Sequence, residues 1–437
     1  MLVTEGKASR ADRWVCAGVA LGLLGSVTAL FALVPAIVAP VLWVSAVLGA
    51  AMVVRDLVFS VVARFLKTAP APESDGRPSI AFVVPCLNEL PSLQQTVPAM
   101  MALRYGGRLT FCYVLEGVST DGSIQYVHEC ARQDPRIVPL HKETPPGGRG
   151  AAVDYGLRHA PPSDVVGFLD ADHILDQDSL DETGRLFGRD GAPEAVQGVC
   201  ATVESSDTAL ARLLTTEREW LERVELQANP RLGGICVFGG GQGFFVRRLL
   251  DKGTYAIDAS MILDDIDLSC QLAVNGVRVA FDPHITTRSR QPETVSRFLD
   301  QRLRWARGWF QLAVRYICAP FRARSIPLAL RADLLRLAMI PFAGAFMYFS
   351  FGAAIVALAM SGSHRPDIWM PLWVLFWPLL LSPMPYLAGV RPRGPGDVVL
   401  TALGIPVLTY VYGWAMGVSL ADAYVLRRPA RYAKTAK

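Results

Sequence analysis

Two carboxylates two residues apart, Asp170 and Asp172 in the segment FLDADH (168–173), stand directly after an apolar run. Like charges this close repel each other unless a proton or a cation relieves them. Hard oxygen donors beside a phosphate-bearing substrate suit Mg²⁺ or Mn²⁺, so the pair reads as a divalent-metal site. A solvated turn is the alternative, and His173 reads as a neighbour rather than a ligand. A second acidic group, Asp264, Asp265 and Asp267, opens the helical pattern of MILDDIDLSCQL (261–272). Carboxylates at a helix N-terminus are favoured by its dipole. One of them is equally suited to take a proton from an attacking hydroxyl.

Three further segments carry polar groups. VVPCLNE (83–89) brings Asn88 and Glu89 to a strand end, where they can hydrogen-bond a base or ribose; a helix cap is the alternative for Asn88. In LEGVSTDGS (115–123), Glu116 falls where a nucleoside would be gripped, and Ser119, Thr120 and Asp121 read as a helix N-cap. QRLRWARGW (301–309) lies on a helical stretch running to about Tyr316, with Trp305 and Trp309 on one face and Arg302, Arg304 and Arg307 among them. Two uses stay open for this basic, aromatic helix: contact with lipid headgroups by Arg302 and Arg307, or binding of a diphosphate and stacking on a sugar ring.

The elements that must position these residues alternate. Apolar runs at 79–85, 109–115, 136–141 and 164–170 read as buried parallel strands, and 90–103, 121–133 and 150–159 read as helices. Such alternation predicts a doubly wound α/β sheet. Ligands of such sheets bind beyond the carboxyl ends of the strands, which is where Asn88, Glu89, Glu116, Asp170 and Asp172 fall. The eight cysteines show no CxxC or CxxH spacing, so neither a zinc site nor a redox pair is indicated, and most read as small core residues.

Composition sets the wider frame. The 437 residues are 51% hydrophobic and only 19% charged, with mean hydropathy +0.30, which excludes intrinsic disorder and collagen-like fibres. A net charge of +4 is too small to argue for nucleic acid, and none is expected as a partner. The deficit of charge is local. Runs 14–54, 337–363, 368–390 and 398–421 contain no charged residue, and the rest of the chain is charged at about the soluble average. A membrane helix needs roughly 20 apolar residues, so the first run predicts two spans turning near Pro35 and Pro40, and the others one span each. The plan is a membrane region at 1–66, a soluble domain at 67–292, interfacial amphipathic helices at 293–336, about three spans at 337–426 and a basic tail at 427–437. Lys7, Arg10 and Arg13 before the first pair and Arg55, Arg64 and Lys67 after it predict a cytoplasmic soluble domain. The side of the basic tail stays open.

In this order, the motifs resemble the family 2 glycosyltransferases, particularly the membrane-embedded polysaccharide synthases that make cellulose, chitin and hyaluronan. The resemblance spans 79–309 and rests on three motifs: DxD as Asp170-Ala171-Asp172, an acidic pair as Asp264-Asp265, and QxxRW as Gln301, Arg304 and Trp305. It implies a GT-A fold inserted between transmembrane helices, a nucleotide-sugar donor (a UDP-sugar), Mg²⁺ or Mn²⁺, and inversion at the anomeric carbon. Pro85, Asn88, Glu89 and Glu116 match nucleotide contacts, Asp170 and Asp172 the diphosphate–metal site, and Asp265, with Asp264 beside it, the general base. Gln301, Arg304 and Trp305 match the acceptor and diphosphate side. FGGGQGFFVRR (238–248) resembles the glycine-rich acceptor-side stretch, with Arg247 and Arg248 as its paired basic residues. Three positions depart from the pattern: Glu116-Gly117 stands for two aspartates, Arg149 for a lysine, and Asp264 for a glutamate. No cyclic-dinucleotide-binding domain is expected after the spans.

The resulting expectation is a multi-pass cell-membrane enzyme that extends a β-linked glycan on the cytoplasmic face, with polymer export through its spans and an accessory export subunit left unidentified. Transfer of one sugar to a lipid-linked acceptor is the alternative. A nucleotide-binding transporter or scaffold is disfavoured, because the spans lack internal charges. Glycan or lipid-linked acceptor and membrane lipids complete the expected partners.

Overall fold

The computed structural model describes residues 38–66, 68–143, 147–203, 208–251, 255–361 and 376–425. The first half of run 14–54, with Lys7, Arg10 and Arg13, part of run 368–390 and the tail 427–437 lie outside the described residues.

Among the described residues, eight strands form one mixed sheet in the order β3-β2-β1-β4-β7-β6-β8-β5. The first four, β1 (Ile80–Cys86), β2 (Leu109–Glu116), β3 (Ile137–Lys142) and β4 (Val165–Phe168), are parallel and match the four runs read from the sequence. Continuous Val, Ile and Phe runs suit them because both faces are covered. Residues Phe82 and Val84 of β1 pack on one face with Leu93, Val97 and Met100 of α2 (Leu90–Ala102) and Val127 of α3 (Ser123–Gln133). Val83 and Val114 point the other way, onto Ala152 and Val153 of α4 (Gly148–His159).

Beyond β4 the parallel run ends. After β5 (Ile174–Leu175) and α5 (Gln177–Phe187), the chain makes β6 (Ala195–Thr202) and a long helical segment. That segment is α6 (Ala209–Trp220), a π-helical turn at Leu221–Glu225 and α7 (Leu226–Arg231). β7 (Gly243–Val246) then runs antiparallel to both β4 and β6. The reversal has a simple origin: β7 leaves the glycine loop 239–242 at the carboxyl end of β4 and returns down the sheet. The short α8 (Arg247–Asp251), α9 (Asp264–Val274) and β8 (Val279–Ser289) complete the sheet layer.

Three described helices are long and apolar enough to cross a membrane, over Ala39–Phe65, Leu328–Gly352 and Pro395–Ala423. The first, α1 (Val38–Phe65), continues past Val54, where the sequence reading ended its span, through Arg55 and Asp56. It does so because those charges are matched inside the protein: Arg55 Nη1 donates to Asp56 Oδ1 (2.6 Å) and Nη2 to Glu225 Oε1 (2.5 Å).

The helix α10 (Val295–Tyr316) carries Gln301, Arg304 and Trp305. It is packed on several sides, with Phe298, Ala306, Phe310, Ala313 and Tyr316 buried against α9, α12 (Leu328–Ser361, after the short α11, Ala319–Arg322) and the last span. Protein carboxylates meet three of its arginines. Arg302 pairs with Glu217 (2.5 Å), Arg307 with Asp422 (2.7 Å), and Arg315 Nη1 with Asp267 (2.8 Å). A short helix α13 (Pro383–Gly389) and α14 (Pro395–Leu420) close the bundle.

The sheet has little spare room at its centre. A Cβ on Gly167 of β4 would stand 2.7 Å from the Phe82 ring and 3.1 Å from that of Phe244. Gly167→Ala should therefore destabilise the fold by about 1–3 kcal/mol, read as a lowered thermal midpoint in detergent. An unchanged midpoint would show that the aromatic layer yields.

Candidate functional site

The strand ends and α9 converge on one cavity of about 1750 Å³. Its walls include Pro85, Glu89, Glu116, Asp170, Asp172, Asp264, Asp265, Gln301, Arg304 and Trp305, so nearly every residue singled out from the sequence meets here. The cavity continues between the membrane helices, past Met52, Ile340, Met347, Tyr348, Tyr410 and Tyr412.

At its centre is Arg149, at the start of α4. Its Nε donates to Asp170 Oδ1 (2.7 Å), its Nη1 to Asp264 Oδ2 (2.5 Å), and its Nη2 to the carbonyl of Gly240. In the sequence Arg149 stands out only as a departure from a lysine. Gly240 has φ +95°, a conformation that L side chains avoid. A Cβ there would lie 3.1 Å from Asp265 Oδ2 and 3.6 Å from Asp170 Oδ2, so both acidic motifs face the same bare backbone. Burial, with the Asp264 carboxylate beside it, pushes the Asp265 carboxyl up to about 7. Asp264 is also raised, first by burial, although Arg149 opposes the shift.

Asp170, Asp172 and His173 offer ligand atoms within 4.8 Å of one another. The two carboxylates suit a hard divalent cation. A guanidinium already rests on Asp170, a sign that a positive charge is at home there. His173 is engaged elsewhere: its Nδ1 lies 3.0 Å from the Gly241 carbonyl and its Nε2 faces Cys200 Sγ at 3.9 Å. Cys200, read only as a core residue, also receives Arg218 Nη1 at 3.1 Å. Burial alone would raise the thiol, yet His173 and Arg218 bring it down to about 6. His173 moves up to about 10, burial being outweighed by the Cys200 thiolate. Imidazole and thiol thus each favour the other's charged form behind the carboxylate pair.

Other residues singled out from the sequence have structural partners as well. Asn88 is exposed and off the cavity wall, with a left-handed backbone (φ 50°). Its Oδ1 accepts from the Thr120 amide (2.8 Å), bracing the loop after β1 against the loop after β2, rather than capping a helix. Arg247 sits at the opposite end of the sheet from the carboxylates, bonded to Asp251 and the Leu157 carbonyl. Asp267 is buried under Arg315 and the Tyr316 hydroxyl (2.8 Å), which pins α9 to α10. Glu116 is buried and paired with Lys142 (3.0 Å), a partner the sequence reading missed.

Arg302 is also within the wall. Its guanidinium lies 4.6 Å from the ring centres of Trp305 and Tyr412 and 4.9 Å from that of Phe298, while Glu217 accepts both its Nη2 and the Tyr412 hydroxyl. A glycine makes this helix's approach possible: a Cβ on Gly308 would stand 2.5 Å from Leu263 Cγ, just before the acidic pair. An isolated glycine inside a helical pattern was the available signal.

Removing Lys142 would leave Glu116 buried without its cation. Lys142→Met should cost about 3–5 kcal/mol, and Glu116→Gln combined with Lys142→Met should recover most of it in a thermal melt. Equal loss in both variants would mean that the pair contributes by packing alone.

The family described as "Glycosyltransferase like family 2" matches residues 78–308. A poly-β-1,6-N-acetyl-D-glucosamine synthase of Staphylococcus aureus is 25% identical over 265 residues, 60% of this chain and 62% of the relative. An N-acetylglucosaminyltransferase of Mesorhizobium japonicum is 29% identical over 251 residues, 55% of this chain and 58% of the relative. The matched segment thus spans about three-fifths of either curated relative. Among solved structures, a mannosyltransferase from Pyrobaculum calidifontis in complex with GDP-Man and Mn²⁺ superposes with TM-score 0.62 at 20% identity, over 89% of this chain and 99% of that one, and so shares its fold. The mixed sheet is accordingly a GT-A core flanked by apolar helices, and the chain belongs to the family 2 glycosyltransferases.

Proposed function

We propose that the chain is an inverting enzyme that moves a sugar from a nucleotide-sugar donor, a UDP-sugar, to a growing β-linked glycan at the membrane. The observation that carries this reading is the convergence at Gly240. There Asp265, Asp170 and Arg149 share one wall of a cavity that also reaches between the membrane helices.

In this reading an acceptor hydroxyl attacks the anomeric carbon while Asp265 takes its proton. The bond from that carbon to the diphosphate breaks, and the nucleoside diphosphate leaves with the electron pair. A divalent cation, Mg²⁺ or Mn²⁺, held by Asp170 and Asp172 would neutralise the leaving diphosphate, as the Mn²⁺ named with the mannosyltransferase supports. Arg304 adds positive charge on the same side, and Trp305 offers a face for a sugar ring. Pro85, Glu89 and Glu116 line the base and ribose end, with Asn88 holding their loop. Gln301 Oε1 is buried without a hydrogen-bond partner among the described residues, which fits an acceptor still to be met.

The activities named for the two curated relatives support N-acetylglucosamine as the transferred sugar. We divide the chain as the hydropathy suggests, with 67–292 catalytic and cytoplasmic, and spans on either side. A second reading, transfer of one sugar to a lipid-linked acceptor, is favoured by the apolar side chains Leu48, Met52, Ile340, Met347 and Leu379 along the membrane half of the cavity. Product sizing separates them: a ladder of lengths against a single product.

Asp265→Asn should lower transfer by about 10²–10⁴-fold in a folded protein; retained transfer would falsify the base assignment. A base must be deprotonated to act. The wild-type rate should therefore rise with pH through a limb at or below about 7, since a bound cation lowers that value further. A rate that falls over the same range would assign the titrating group a different role.

A further inference from the structure

Arg149 stands between the two acidic motifs in a way a lysine cannot copy. Its side chain is 14% exposed, and each of its three nitrogens reaches an acceptor on a different element: the loop after β4, the start of α9, and the glycine loop. Guanidinium presents donors in a rigid fork, whereas an ammonium is one point on a flexible stem. The fork also closes the charge account of Asp264, a carboxylate only 3% exposed. Yet Asp170, one of its acceptors, is also one of the two carboxylates at which a divalent cation fits. The same side chain thus answers to a guanidinium and to a metal ion. If both were present at full contact, three positive charges would crowd one oxygen pair.

We propose that Arg149 is a positioning residue that competes with the divalent cation for Asp170. It keeps the two acidic motifs and the glycine loop assembled before the metal arrives, and it weakens metal binding in doing so. Metal entry then requires the Nε contact to Asp170 to open, while the contacts to Asp264 and Gly240 can persist. This rests on the reading of Asp170 and Asp172 as the metal pair. It makes a claim that a purely structural arginine does not: taking Arg149 away tightens metal binding even though it harms the enzyme.

The test uses the full chain in detergent with Mn²⁺ alone, no nucleotide or acceptor, following the free-ion paramagnetic resonance signal, with a thermal melt as the control for folding. Arg149→Met should bind Mn²⁺ about tenfold more tightly or better, because the opposing charge is gone. Arg149→Lys keeps the charge and loses the fork, and should fall between it and the wild type. Asp170→Asn should abolish binding in every background. Should Arg149→Met fail to fold, with Asp264 left buried and uncompensated, Arg149→Met combined with Asp264→Asn carries the same expectation. A folded Arg149 variant with wild-type or weaker Mn²⁺ affinity overturns the proposal while leaving the metal pair standing. Binding that ignores Asp170→Asn overturns both.

Discussion

Four carboxylates, Asp170, Asp172, Asp264 and Asp265, meet where β4, α9 and the glycine loop end, and their mutual repulsion is the constraint to which the surrounding structure answers. Arg149 meets two of them directly. His173, whose pKa the neighbouring Cys200 raises, stands behind the DxD pair. The glycines at 239–241 bring backbone where side chains would collide: a Cβ on Gly241 would lie 2.1 Å from the His173 ring. The region is thus arranged so that negative charge is tolerated but not neutralised. Burial and this crowding hold the Asp265 carboxyl above the ordinary carboxylate range.

The helical segment from α6 to α7 ties this centre to the membrane helices, and its π turn explains how. Inserting one extra residue per turn rotates successive side chains relative to an α-helix. Glu222 faces the sheet, where it accepts from the Cys200 amide (3.1 Å) and Gln242 (3.1 Å). Glu225, three residues on, faces α1 and takes Arg55. Upstream, Glu217 joins Arg302 to Tyr412, Arg212 pairs with Asp397, and Trp220 Nε1 donates to Ser60 Oγ (2.8 Å). One helix therefore bonds to the sheet, to the QxxRW helix and to two membrane spans.

How much of this was legible in the sequence depended on the range of the interaction. The first four strands and their helices were readable because each is a local pattern bounded by turn residues. The acidic motifs were readable because two adjacent charges after a buried strand need an explanation anywhere. The role of Arg149 was not, because its partners lie 21 and 115 residues away. The same holds for Glu217 with Arg302, 85 residues apart, and for Lys142 with Glu116. Periodicity showed the basic, amphipathic pattern of α10 but not the carboxylates of other elements that meet Arg302, Arg307 and Arg315. Asn88 shows the converse, a polar residue at the right strand end whose side chain serves the backbone of the next loop.

The placement of charge along the cavity links its two halves. The donor end carries carboxylates and arginines from the strand ends and α10. At the level of α1 the wall still holds Arg55, Asp56, Glu225 and Arg336, joined by contacts of 2.5–3.7 Å. Charges at that depth are costly next to hydrocarbon and are kept where they pair with one another or face water. Between the helices the lining is largely apolar, with Tyr348, Thr409 and Tyr410 among its polar points. A molecule moving from the catalytic centre toward the membrane therefore meets hydrogen-bonding groups first and apolar walls afterwards. That gradient suits an acceptor with a sugar at one end and its bulk, glycan or lipid, between the helices. The carboxylate centre and the apolar helices thus line two ends of a single cavity.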